Sequence, residues 1–188
     1  MLIMRVETIP TLPNKNDVRL MSLAVIRSQM SECISTRVGA VLGTPEGDLL
    51  AYGENNTASK HHCCSVECKH LLNTEGKLSQ ANRPTHSEWS NANEIHAEVR
   101  VFVNAHIKGV TLQGATLYTT ASPCDSCAKH IELYAVLGAV SRVVYLDKYD
   151  RGNDLWIERL QRHGVTVDKM ERQDLEIDFD KIIFSNVE

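Results

Sequence analysis

A chain of 188 residues, 43% hydrophobic and 23% charged, has ordinary globular composition and enough length for one core. A single domain over 1–188 is therefore expected. The net charge of −4 supplies no basic field to neutralise the phosphates of duplex nucleic acid, which argues against a long polynucleotide as the main ligand. A mononucleotide, needing only one or two local cations, is still admitted.

The opening "MLIMRVETIPTLPNKNDVRL" is interrupted by Arg5, Glu7 and two prolines. It reads as an N-terminal extension (1–15), neither a secretory signal nor a membrane span, and no apolar run approaches the ~18 residues that a span needs. A cytoplasmic protein with no membrane partner is expected. There its six cysteines would be reduced, which favours metal ligation over disulfides.

In chain order, "NDVRLMSLAVIRSQMS" (16–31) predicts a helix after an Asn16 or Asp17 cap, apolar over most of its circumference. "RVGAVLG" and "GDLLAYG", separated by "GTPEGD", predict a hairpin. Residues 54–92 are polar, rich in His, Asn, Ser and Cys and without periodicity, so a long loop pinned by a ligand is expected. A helical pattern runs from Glu94 to His106, a strand covers 114–120, and "PCDSCAKHIELYAVLG" predicts a helix opened by Pro123 and closed by Gly138. Then follow a strand at 141–147, a helix in "NDLWIERLQRHG", a short strand "VTVD", and a C-terminal segment (170–188) whose residues 174–184 fit a helix or a strand. The order implies an α/β protein, a three-layer α/β/α sandwich with a mixed sheet whose later strands are parallel through helical crossovers.

The chemistry concentrates in "HAE" at 96–98 and "PCDSC" at 123–127. Cys124 and Cys127 are three residues apart at a helix start, so their sulfurs point the same way and the helix N-terminus favours the thiolates that zinc binds. With His96 they make three ligands, leaving the fourth tetrahedral position open, as in catalytic zinc sites. Two thiolates cancel the ion's charge, so a base is needed nearby. Glu98 is expected to take a proton from the attacking water and return one to the departing amine. Pro123 removes an N–H that would otherwise lack a partner. A C-x-x-C alone fits a redox pair or half of a structural zinc site equally well, but H-x-E followed by P-C-x-x-C is the signature of zinc nucleobase deaminases.

On these residues the chain resembles the cytidine/deoxycytidylate deaminase superfamily, and more narrowly the deoxycytidylate (dCMP) deaminases of tailed bacteriophages. "HSEWSNANEIHAE" is close to the motif of that branch, and "GATLYTTASPCDSCAKHI" is similar to its second motif. The resemblance implies a cytidine-deaminase-like sandwich with a five-stranded sheet, hydrolytic conversion of dCMP to dUMP for thymidylate synthesis, and a homohexamer. It also implies activation by dCTP and inhibition by dTTP, each with Mg²⁺. The loop "ENNTASKHH" lacks the glycines of regulated phage enzymes, so weaker regulation is expected.

Cysteines and histidines also cluster in "KHHCCSVECKH". The residues alone fit buried thiols with exposed histidines, a second metal, or a local Cys64, Cys68 and His70 site. The resemblance implies a second, structural zinc on Cys33, Cys63, His86 and Glu94, with Cys64 in place of Cys63 after a one-residue slip. It leaves Cys68 and Glu88 without a role. It further implies substrate contacts from Asn55 (Asn56 being the weaker match), Ser122, Pro123 and Tyr149, with Lys148 or Arg151 near phosphate. Arg100 and Val101 stand where the family reads Asn-Ala. Valine there adds bulk against the base, which raises a 5-modified dCMP or another cytosine nucleotide as an alternative. A tRNA adenosine deaminase and a zinc-stabilised binding module are the remaining alternatives.

Overall fold

The computed structural model of the chain describes residues 13–149 and 154–175. Helix α1 (Lys15–Ser28) starts from a capping box. The Asn14 side chain accepts from the N–H groups of Asn16 and Asp17 at 2.9 Å each, and the Asp17 carboxylate accepts from the Asn14 N–H at 3.2 Å. Asn14 is thus the cap, earlier than the expected Asn16 or Asp17, because only this pairing satisfies both orphan donors and the cap's own N–H. The helix ends at Ser28, short of Ser31.

The chain continues through β1 (Gly39–Gly43), β2 (Leu49–Glu54), β3 (Asn56–Thr57), α2 (Cys64–Glu67), α3 (Arg83–Asn93), β4 (Glu94–Ile95), α4 (Ala97–Ile107), β5 (Ala115–Ala121), α5 (Asp125–Val136), β6 (Val140–Asp147), α6 (Leu155–Gln161) and β7 (Thr166–Lys169). Five strands form one sheet in the order β2-β1-β5-β6-β7. The pairs β1–β2 and β1–β5 are antiparallel, and β5–β6 and β6–β7 are parallel. The mixed α/β sandwich expected from the sequence is the observed fold.

Period-two alternation sends each strand's apolar residues to two cores. Ala40, Leu42, Leu117 and Val143 join Val101, Phe102, Ile131 and Leu160 on the face covered by α4, α5 and α6. Val41, Tyr118 and Val144 join Leu20, Met21 and Ala24 of α1 on the other. Each Val, Leu, Ile, Phe or Met among them contributes about 1.5–3 kcal/mol on full burial. Helix α4 lies so close to β2 that a Cβ on Gly53 would sit 2.9 Å from the Val101 nitrogen and 3.1 Å from the Ala97 carbonyl oxygen. Glycine at 53 therefore lets the helix that begins with His96 as its N-cap seat directly on the sheet.

Residues 54–92 are not one long loop. They hold β3, the short α2, turns of 3₁₀ helix at Lys60–His62 and Lys69–Leu71, and most of the eleven-residue α3. Their apolar support is small: Cys33, Cys64, Cys68 and Leu71, flanked by Ile34, Leu78 and Trp89. The terminal helix or strand at 174–184 lies outside the described residues from 176 onward; Arg172–Asp174 is a single 3₁₀ turn. Among the described residues, no helix is long and apolar enough to cross a membrane.

One polar network ties α1 to the sheet. Asp17, 2% exposed, accepts from the Tyr118 hydroxyl at 2.7 Å and from Arg142 at 2.6 and 3.2 Å, while Arg142 also donates to Asp168 at 2.7 Å. Burial pushes the Asp17 carboxyl up, but Arg142 and Tyr118 outweigh it and hold the group below its ordinary value. Removing one partner of a buried ion pair leaves the other charge uncompensated. Asp17→Asn is expected to cost about 3 kcal/mol in urea denaturation at pH 7. Because the folded-state value is depressed, the wild-type advantage is present above the unfolded pKa of ~3.9 and is lost as pH falls through the folded value. The gap between wild type and variant should therefore narrow in acid; a constant gap would show that the carboxylate charge is not what matters.

Candidate metal centres and substrate cleft

The parallel strands β5 and β6 end together, with Ala121 beside Asp147, and the loops beyond strand carboxyl ends are where open α/β sheets bind ligands. Cys124 is the N-cap of α5, Cys127 lies in its first turn, and His96 is the N-cap of α4. His96 Nδ1 lies 3.2 Å from Cys127 Sγ and 3.5 Å from Cys124 Sγ, and the three donor atoms all fall within 4.8 Å of one another. Ligands on one tetrahedral zinc are roughly 3.5–3.8 Å apart, so this donor set fits that ion with Nδ1 as the metal-facing nitrogen.

The three donors are strongly coupled to one another. A hydrogen bond from Cys127, with His96 beside it, holds Cys124 down to about 3, whereas the same bond pushes Cys127 up. The bond to Cys124 raises His96 to about 9. Glu98, 5% exposed and within hydrogen-bonding reach of Cys127, is lifted by burial to about 7. A carboxyl poised there can accept and return a proton near neutral pH.

A second group of donors comes from four separate segments. Cys33 precedes β1, Cys64 opens α2, His86 lies on α3 and Glu94 starts β4; their ligand atoms lie within 4.8 Å of one another. His86 Nε2 is 3.2 Å from Cys64 Sγ and 3.8 Å from Cys33 Sγ. Glu94 Oε2 accepts from the Ser90 hydroxyl at 2.7 Å, but its Oε1 is buried without a hydrogen-bond partner. Four donors with an orphaned carboxylate oxygen fit a closed, structural zinc.

Cys63, the first choice from the aligned "CC" step, is not in this group: its Sγ lies 3.2 Å from the Ser65 hydroxyl. Cys63 is the extended residue capping α2 while Cys64 is already helical, so the two side chains diverge and only Cys64 turns toward His86. Cys68 is a buried thiol in the apolar cluster. The exposed His70 ring shares a 3.0 Å hydrogen bond with the Glu67 carbonyl, so no local Cys64, Cys68 and His70 site is gathered. Glu88 is exposed.

Both donor groups border one cleft, whose lining includes Cys33, Glu94, His96, Glu98, Ser122 and Tyr149. Asn55 also lines it, but its amide is held by the loop before β1: Oδ1 accepts from the Val38 N–H at 2.7 Å and Nδ2 donates to the Thr36 carbonyl at 2.9 Å. Its first role is to shape the cleft wall. The Ser122 hydroxyl likewise accepts from the Tyr149 N–H at 2.8 Å, fixing that ring's backbone. Pro123 is buried outside the lining.

Val101 is a correction. It is fully buried in the core against β1 and β2 and does not line the cleft. One helical turn beyond the His96 cap, its position faces the sheet, so the bulk that raised a 5-modified base has no base to press on. Arg100 donates to the carbonyls of Asn56 and Thr57 at 2.8 and 3.0 Å; it ties β3 to α4. Ser35, Thr36 and Asn91 line the cleft without having been singled out. Polar loop residues carry no sequence signal that separates lining from solvation. Arg151 lies outside the described residues.

A family model described as the cytidine and deoxycytidylate deaminase zinc-binding region matches residues 14–146. Deoxycytidylate deaminase of Enterobacteria phage T4 is 31% identical over 179 residues, covering 83% of this chain and 90% of that protein. The corresponding phage T2 protein is 30% identical over 175 residues, covering 79% and 88%. Among solved structures, dCMP deaminase from the cyanophage S-TIM5, in complex with dCMP and dUMP, superposes with a TM-score of 0.57 at 30% identity, covering 80% of this chain and 93% of that one.

Proposed function

The chain belongs to the cytidine and deoxycytidylate deaminase family, and from that premise we propose that it hydrolyses dCMP to dUMP and ammonia as a zinc-dependent enzyme. The observation that carries the reading is a buried glutamate, Glu98, held against an open cluster of His96, Cys124 and Cys127 at the carboxyl ends of parallel strands. Zinc held by those three residues supplies Lewis acidity and a water reactive near neutral pH.

Glu98 accepts a proton from the attacking water. It returns one to the exocyclic nitrogen as the new C–O bond replaces C–N at the amidine carbon. Burial keeps the proton on Glu98 between the two transfers and excludes bulk water as a competing acid. Tyr149, fixed through Ser122, borders the space for the nucleotide, and Asn55 holds the opposite loop in place. An ammonia-release assay on the zinc-loaded chain, over dCMP, 5-substituted dCMP, dCTP, deoxycytidine and cytosine, tests the reading: dCMP is expected to turn over fastest. Zinc content without ammonia from any of them would leave a zinc-stabilised binding module.

We further assign residues 1–188 to one deaminase domain in the cytoplasm, with a second, structural zinc on Cys33, Cys64, His86 and Glu94. Homo-oligomerisation, as a hexamer by family resemblance, is supported by apolar side chains left exposed on α4, on α5 and at the residue capping α5. Ile107 and Leu137 are 75% and 71% exposed in the single chain, beside Val103, Leu133 and Val136. A sedimentation mass of several chains is the expected result; a monomer at micromolar concentration would refute it. Control by dCTP and dTTP with Mg²⁺ is assigned in weakened form, on the missing glycines of 54–62.

A further inference from the structure

Glu94 and His96 belong to different donor groups, yet only Ile95 separates them. Both are extended, Glu94 at φ −87°, ψ 135° and His96 at φ −65°, ψ 150°. In extended backbone, residues i and i+2 face the same side, and both of these border the one cleft. The conformation of this three-residue segment therefore sets the distance and angle between the two groups. Little holds it. Strand β4 pairs with β3 alone, Ile95 opposite Asn56 and Glu94 opposite Thr57, and an isolated two-stranded ribbon is marginal in water.

Arg100 bridges the ends of this ribbon. Its backbone N–H donates to the His96 carbonyl at 3.0 Å in the first turn of α4. Its Nη2 donates to both carbonyls of β3, those of Asn56 and Thr57, at 2.8 and 3.0 Å. One side chain thus closes a ring that runs from His96 through α4 to β3 and back across to β4. The guanidinium is half-buried, makes no ion pair among the described residues, and has its Nε buried without a hydrogen-bond partner. A cation so desolvated adds little to general stability, which leaves the bridge itself as its contribution. Asparagine, which the family has at this position, is too short to span the gap. Resting on the deaminase reading, with zinc at both donor groups, we propose that Arg100 is a positioning residue: through β3 it fixes β4, and so holds Glu94 and His96 in register for their two metals. With the arginine in place both groups are preformed. Without it β4 has to be ordered as the metal binds, and that ordering lowers the affinity of both groups.

The test is a titration of the zinc-loaded full chain with EDTA, read as zinc per chain, for wild type, Arg100→Gln, Arg100→Lys and Asp17→Asn. Arg100→Gln is expected to give up both zinc ions at about 10- to 100-fold lower EDTA, the loss typical when a group that orients a ligand is removed. Arg100→Lys keeps the charge and a donor without the fork, and should recover part of that loss. Asp17→Asn weakens the fold outside both donor groups. It should melt earlier yet hold zinc as wild type does. Turnover of dCMP by Arg100→Gln should fall with its zinc and return on adding zinc, with KM little changed. Unchanged zinc retention in Arg100→Gln would overturn the proposal. So would an equal loss in Asp17→Asn, which would trace the effect to overall stability. Loss of a single zinc would also overturn it, since the arginine would then serve one group and not both. Zinc retention that depends on Arg100, in a protein that releases no ammonia, would keep the positioning role and refute the deaminase reading.

Discussion

Glu98→Gln is expected to keep its zinc and lose about 10²- to 10⁴-fold in kcat for dCMP, the range supplied by a positioned general acid–base group. The substitution conserves volume and hydrogen bonding at a site only 5% exposed, so the fold and the His96, Cys124 and Cys127 donors should be undisturbed. What disappears is a proton carrier that burial poises at about 7. Glutamine cannot take the proton of the attacking water or return it to the departing amine, while substrate binding needs neither step. The loss should therefore fall on kcat with KM nearly unchanged. Metal analysis and steady-state kinetics on one preparation check it. Retained turnover would remove Glu98 from the chemistry, and lost zinc would make it a metal-positioning residue instead.

The second large effect belongs to the second donor group. Metal analysis of the wild type is expected to return about two zinc per chain. Cys64→Ser should reduce this to about one, whereas Cys63→Ser should leave it at two. The stability consequence is large because 54–92 has little else to hold it. Its apolar cluster is small, and α3 buries only His86. A structural zinc contributes folding energy directly. Losing about 5 kcal/mol in a chain of this size corresponds to a fall in melting temperature of roughly 10–20 °C. A value near one zinc in wild type, or equal effects of the two serine variants, would contradict the assignment.

These cases show what the sequence could and could not specify. The sheet was legible because Ala40, Val41 and Leu42 alternate between two cores, and α5 was legible from Pro123 and Gly138 at its ends. The gathering of His96, Cys124 and Cys127, with Glu98 beside them, was legible because these residues sit on two helix starts at spacings that few other chemistries need. Helix α3 was not. "RPTHSEWSNAN" has no apolar stripe, and its one buried side chain is a histidine turned into a donor cluster. The choice between Cys63 and Cys64 was out of reach for a related reason, since a stretch without periodicity gives no register. Val101 was assigned from motif position but faces the sheet, and Asn55, which does line the cleft, also closes a loop, facts that only tertiary packing decides.

Zinc-dependent deamination of dCMP stands or falls on incubating the zinc-loaded chain with dCMP and measuring dUMP and ammonia together. Equal amounts of both are expected, formed catalytically by wild type and abolished when zinc is removed by chelation. A zinc-loaded protein that leaves dCMP unchanged would contradict it.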